Sequence, residues 1–144
     1  MARLLIIDDT ENNRILLSRR LKPRGHEILL AEDAEQGIAL AREQRPDLIF
    51  MDIGLPGMDG WTATGVLKGD PATRDMFVIA LTAHAMAGDR ERALAAGCDE
   101  YESKPINFPA LFEKVDRLLA SKGIVTAPAP APQPAQPAPP PAAP

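Results

Sequence analysis

Four short apolar runs set the terms on which this chain can fold: Leu4 to Ile7, Ile28 to Ala31, Leu48 to Met51 and Met76 to Leu81. None alternates apolar with polar residues, so each reads as a strand needing cover on both faces. None approaches the ~20 residues required to span a membrane. Between them lie stretches with helical spacing. These are Glu11 to Leu21, stopped by Pro23 and Gly25; Asp33 to Ala41, ended by Pro46; and Trp61 to Leu67, broken by Gly69-Asp70-Pro71. Met86 to Ala95, stopped by Gly97, and an amphipathic stretch from Phe108 to Ala120, closed by Gly123, complete the set. Thr10 is placed to cap the first helix, with Ile15, Leu17 and Leu21 expected on its inner side. A fifth strand is read around Cys98 to Ser103, although Asp99, Glu100 and Glu102 are poor strand formers. Strand and helix therefore alternate five times. That order implies a single α/β domain, a (βα)5 doubly wound parallel five-stranded sheet with helices on both faces.

Composition divides the 144 residues unevenly. From Ala127 to Pro144 only Ala, Pro and Gln occur, and nine of the chain's 15 prolines lie there. Such a segment has little to bury and few backbone donors to pair. The reading is a folded unit over residues 1–123 and an Ala/Pro-rich disordered tail or linker over 124–144. The tail lacks the basic or aromatic anchors of a proline-domain ligand. Net charge is −4 with no basic run, which disfavours nucleic-acid binding. A lone cysteine, Cys98, excludes an intramolecular disulfide and fits a reducing compartment. No signal peptide is visible, so a cytoplasmic location with no membrane partner is expected.

Four of the five strands end on chemically useful residues. The first ends on Asp8 and Asp9, the third on Asp52, the fourth on Thr82 and the fifth on Lys104. Gly54, Pro56, Gly57 and Gly60 force a loop directly after Asp52. In a parallel sheet all these ends share one edge, which is where open α/β sheets bind ligands. Three carboxylates brought together repel unless a cation sits among them. An all-oxygen donor set suits a hard divalent ion, Mg2+ before Zn2+. Lys104 adds a mobile positive charge and Thr82 a hydroxyl donor. Metal, lysine and hydroxyl around a carboxylate suit a phosphoryl group, with the carboxylate as nucleophile.

These features together resemble the receiver domains of bacterial two-component response regulators, whose fold is flavodoxin-like, or CheY-like. The matching residues are Asp8-Asp9, Met51-Asp52, Leu55-Pro56-Gly57-Met58-Asp59-Gly60, Thr82-Ala83 and Lys104-Pro105, spread over about residues 2–121. The resemblance implies that Asp52 is the phosphoacceptor. Mg2+ would be bound through Asp9, Asp52 and the backbone carbonyl of Gly54, with Asp8 acting largely through water. Lys104 would pair with one phosphoryl oxygen and Thr82 with another, and Tyr101 would turn inward as Thr82 moves. The Lys104-Pro105 bond would be cis. Partners implied are a histidine kinase or a histidine phosphotransfer protein. Downstream, a protein target or a homodimer would read the face of the fourth helix, fifth strand and fifth helix, including Ala83 to Ala96 and Phe108 to Leu119. The protein is thus expected to be a switch rather than a turnover enzyme, most simply a stand-alone response regulator. A receiver fragment of a larger regulator or hybrid histidine kinase is the alternative.

Each residue also has a plainer reading. Asp8 and Asp9 resemble ordinary helix-start acids, although two directly after a buried strand favour metal binding. Thr82 alone is a cap and Lys104 alone a surface lysine. Tyr101 in an edge strand packs. Trp61 and Cys98 read as structural, and His26 as a residue at a strand edge without catalytic role. His84 lies two residues past Thr82, and Gly54 two past Asp52. In the family these positions flank the water that hydrolyses the acyl phosphate, so His84 is either a modulator of phosphoryl lifetime or an exposed residue near a helix start. A haloacid-dehalogenase-like phosphatase would need an Asp where Gly54 stands. A flavin-binding protein would need a Ser/Thr/Gly-rich loop where Asp8-Asp9 stands. A phosphorylation-independent scaffold leaves the whole set of site residues unexplained.

Overall fold

In the computed structural model, residues 2–55, 57–82 and 89–123 are described, the side chains of 89 and 90 excepted. The order is β1 (Arg3–Ile7), α1 (Glu11–Leu21), a 3-10 turn (Lys22–Arg24), β2 (Glu27–Ala31), α2 (Ala34–Gln44), β3 (Leu48–Asp52) and α3 (Gly60–Gly69). It continues with β4 (Phe77–Thr82), α4 (Asp89–Ala96), β5 (Glu100–Ser103) and α5 (Phe108–Ser121). All five strands pair in parallel, in the order β2-β1-β3-β4-β5. This is the doubly wound, flavodoxin-like order, whose switch point lies between β1 and β3.

Side chains alternate across each strand, so the unbroken apolar runs feed two cores. Leu5, Ile7, Ile49, Met51, Val78 and Ala80 face one side, packed with Ala34, Ile38 and Ala41 of α2, Ala63 and Leu67 of α3 and Ala93 of α4. Leu4, Ile6, Leu48, Phe50, Ile79 and Leu81 face the other, packed with Leu17 and Leu21 of α1 and Leu111, Val115 and Leu119 of α5. β3 sits at the centre, buried along its whole length.

The edges explain where sequence pattern and structure part. β5 begins at Glu100 rather than at Cys98, and its acids are matched by α5. The Lys114 Nζ donates to Glu102 Oε1 at 2.6 Å and to the Tyr101 carbonyl at 2.7 Å, and Arg117 pairs with Glu100. Edge exposure and basic partners thus offset poor strand propensity. Cys98 lies buried just ahead of the strand, its Sγ 3.7 Å from Thr64 Oγ1. On α1, Ile15 is 40% exposed while Leu17 and Leu21 are buried. A step of two residues rotates a helix by about 200°, so Ile15 cannot share the Leu17–Leu21 stripe. Thr10 occupies the N-cap position of α1 without a side-chain cap bond. By contrast Asp33, Asp59 and Asn107 cap α2, α3 and α5, each accepting a backbone N–H. The expected start of the fourth helix at Met86 and the tail over 124–144 lie outside the described residues.

His26, just ahead of edge strand β2, is buried, and neither ring nitrogen has a hydrogen-bond partner among the described residues. Burial, then the Arg24 guanidinium, hold its pKa below the ordinary 6.5; the amino terminus adds to this, while Asp116 and Asp47 oppose it. The folded protein therefore favours neutral His26, whereas the unfolded chain takes up a proton near pH 6.5. Stability from this residue is present above pH 6.5 and lost as pH falls below it. His26→Leu should reduce the loss in urea midpoint between pH 7 and pH 5.5 relative to the wild type. An identical pH dependence in the two proteins would contradict the assignment.

Candidate functional site

Each acid reaches the carboxyl edge of the sheet for a local reason. β1 ends at Ile7, paired with Ala31 and Met51, and the next residue, Asp8, turns off the sheet while still donating its N–H to the Ala31 carbonyl at 3.1 Å. Asp8 is fully buried; Asp9 is exposed. Asp52 closes β3, opposite Leu81 of β4, and is 6% exposed. The chain then turns sharply through Ile53 and Gly54, whose N–H donates to Asp52 Oδ1 at 3.0 Å. Gly60 brings α3 back against the strand end. A Cβ there would lie 2.6 Å from the Asp52 carbonyl oxygen and 2.7 Å from Ile53 Cα, both backbone atoms that cannot step aside.

Asp8, Asp9 and Asp52 offer carboxylate oxygens that all lie within 4.8 Å of one another. One ammonium serves them: Lys104 Nζ is 3.3 Å from Asp8 Oδ2 and 3.6 Å from Asp52 Oδ1. The Lys104-Pro105 bond is cis, and the Lys104 N–H donates to the Thr82 carbonyl at 2.7 Å. Asp8 is fixed further by the Thr10 N–H, which donates to its Oδ1 at 2.8 Å, and by Arg14 Nη1, which donates to its backbone carbonyl at 2.6 Å. Burial, then the neighbouring Asp8 carboxylate, push Asp52 up to about 6. The Gly54 N–H and Lys104 pull it down, and Asp9 adds to the rise. At neutral pH Asp52 is still mostly ionised, and so available as a nucleophile without a general base. Three carboxylates with one ammonium paired to them leave a deficit of positive charge among the ligand oxygens. An all-oxygen set with that deficit fits a hard divalent cation.

Thr82, also 6% exposed, ends β4 at the same edge, one residue past the partner of Asp52. Tyr101 pairs with Ala80 and is half-buried against the α2–α3–α4 side of the sheet. Gly54 is exposed, and among the described residues a Cβ there would meet only Asp52 Oδ1, at 3.8 Å, so these residues leave room for a side chain beside the carboxylate. His84 lies outside the described residues. The structure thus gathers Asp8, Asp9, Asp52, Gly54 and Lys104 at one point, with Thr82 along the same edge. Arg14 escaped sequence reasoning because a side chain bonding to backbone leaves no pattern of residue types.

Residues 4–116 match the family model for the response regulator receiver domain. The chain belongs to that family. Among receivers, the polar-differentiation response regulator DivK of Brucella anthropi is 41% identical over 116 residues, covering 81% of this chain and 94% of that protein. The response regulator PleD of Caulobacter vibrioides is 38% identical over 124 residues, but there the chain spans only 27% of the relative's length. Two solved receivers superpose closely. A putative response regulator from Chloroflexus aurantiacus gives a TM-score of 0.79 at 28% identity, covering 83% of this chain and 98% of that one. The receiver domain of sensor histidine kinase PA1611 from Pseudomonas aeruginosa, described with a magnesium ion coordinated in the active site cleft, gives 0.76 at 34% identity, with 83% and 98% covered. The chain is therefore a receiver of two-component signalling, a class that interacts with histidine kinases and downstream targets. Among the described residues no helix is long and apolar enough to cross a membrane.

The close approach at Gly60 makes a direct prediction. Gly60→Ala should displace α3 from the end of β3 and destabilise the fold by about 1–3 kcal/mol, the usual cost of overpacking. Urea unfolding of the variant checks this; an unchanged midpoint would mean that the α3 start is not wedged against Asp52.

Proposed function

We propose that Asp52 accepts a phosphoryl group from a phosphohistidine, in a Mg2+-dependent reaction, and that the added charge switches the receiver between conformations. The observation that carries this reading is the buried, largely ionised Asp52 carboxylate beside two further acids and a single lysine. An oxygen of Asp52 forms the new P–O bond as the donor's P–N bond breaks, and the imidazole leaves with the electron pair. Lys104, 3.6 Å from Asp52 Oδ1, would neutralise charge on the transferring group, and Thr82, at the end of β4 on the same edge, is the residue we assign to bond a phosphoryl oxygen afterwards. Asp8, Asp9, Asp52 and the Gly54 carbonyl are the groups that would hold Mg2+, with Asp8 acting largely through water. Bound there, the ion supplies charge neutralisation to the phosphoryl oxygens. The magnesium described in the PA1611 receiver supports this assignment.

Phosphorylation replaces the single negative charge of the carboxylate with close to two, and shifts an existing equilibrium rather than creating a new state. Thr82 and Tyr101 are the residues we assign to relaying that shift, toward an output face of α4, β5 and α5. A partner protein or a second copy of the chain would read that face. The protein acts as a cytoplasmic switch whose only chemistry is its own phosphorylation and dephosphorylation. His84 would tune the lifetime of the acyl phosphate. From their Ala/Pro composition we read residues 124–144 as a tail or linker.

Incubation with acetyl phosphate tests the central step. Intact-mass spectrometry should detect one added phosphoryl group with Mg2+, none after chelation by EDTA, and none in Asp52→Ala. Lys104→Ala should slow the reaction by about 10²-fold, the usual effect of removing one group that stabilises developing negative charge. Modification without Mg2+, or modification that survives Asp52→Ala, would refute the proposal.

A further inference from the structure

Two cationic side chains reach the acid cluster, and they reach it differently. Lys104 meets carboxylates. Arg14, on the first turns of α1 and half-buried, instead donates Nη1 to the backbone carbonyl of Asp8 at 2.6 Å. That carbonyl belongs to the peptide unit joining Asp8 to Asp9. The unit is planar, so fixing its oxygen also fixes the direction in which the Asp9 Cα leaves it. The bond falls in the turn between β1 and α1. The β1 ladder has ended at Ile7, and α1 does not begin until Glu11. The other bonds at Asp8 hold the residue itself: its N–H to Ala31, and its two carboxylate oxygens from Thr10 and Lys104. Arg14 holds the peptide that leads to Asp9, whose carboxylate is the exposed member of the cluster.

We infer that Arg14 is a positioning residue for the divalent-cation site: by clamping the Asp8–Asp9 peptide it keeps the Asp9 carboxylate turned toward Asp8 and Asp52. This rests on the reading of those three acids as cation ligands. Two effects of Arg14 on the cation have opposite signs. Its positive charge repels an incoming cation, so removing a mere counter-charge would tighten Mg2+ binding. Removing a clamp loosens a ligand and weakens binding, by about tenfold for partners that orient metal ligands.

Calorimetric titration of Mg2+ alone into the full chain distinguishes these. Arg14→Gln should weaken Mg2+ binding about tenfold, and Arg14→Lys should restore much of it, since an ammonium also donates to a carbonyl. At saturating Mg2+ the rate of phosphorylation of Arg14→Gln by acetyl phosphate should return to the wild-type value. Equal or tighter Mg2+ binding by Arg14→Gln overturns the inference while leaving the acid cluster as the cation site. Absence of Mg2+ binding by the wild type overturns that reading as well. Another measurement needs no variant. In NMR spectra of the wild type, the Arg14 guanidinium N–H resonances should shift on Mg2+ addition with the same midpoint as the Asp9 and Asp52 amides. Guanidinium resonances that stay fixed through the titration would also overturn the inference.

Discussion

The structure depends on a repulsion that it does not itself cancel. Asp8 and Asp52 are buried carboxylates that share the ammonium of Lys104, with Asp9 within ligand distance of both. Burial and the neighbouring Asp8 carboxylate lift Asp52 to about 6, since the Gly54 N–H and Lys104 only partly offset them. A fold that selected only for stability would have no reason to collect acids at this point. The cost is understandable if the site exists to hold a cation and, beside it, a phosphoryl group. The same arrangement makes the site sensitive to charge, because any change at Asp52 is felt at close range by Asp8, Asp9 and Lys104.

The scaffold concentrates its rigidity around that edge. β3 is buried from end to end, so Asp52 emerges from the best-packed strand of the sheet. α3 is pressed against the strand end through Gly60, where no side chain fits. The Lys104 backbone is tied to β4 through the Thr82 carbonyl. On the other side of the switch point, the Asp8 backbone is gripped by Ala31 and Arg14. The acids and the lysine therefore come from three separate strand ends, each fixed by its own local device. Membership of the receiver family, across residues 4–116, agrees with this reading of the edge as the business end of the domain.

Much of this was legible in the sequence because burial on two faces leaves a strong mark. Leu4–Ile7, Leu48–Met51 and Phe77–Leu81 are unbroken apolar runs, and all lie in the three inner strands, β1, β3 and β4. The residue ending each run then locates the site without further geometry. Edge elements were harder. β5 is a strand because Lys114 and Arg117 of α5 answer its acids, a tertiary fact that local propensity cannot contain. Ile15 looked like part of an apolar stripe but points outward, because α1 is anchored by Leu17 and Leu21 alone. Thr10 sits at the right position for a cap, yet its contribution is a backbone N–H given to Asp8, not a hydroxyl. Bonds from side chain to backbone, such as that of Arg14, follow from the turn geometry and carry no signature in residue types.

The account stands on the identity of one residue as the acceptor, and that can be read chemically. Treating the phosphorylated protein with borohydride reduces an aspartyl phosphate to homoserine, which peptide sequencing by mass spectrometry then locates. The account predicts homoserine at position 52 and nowhere else. Homoserine at Asp8 or Asp9, or a phosphoryl group that resists reduction because it is not an acyl phosphate, would contradict it.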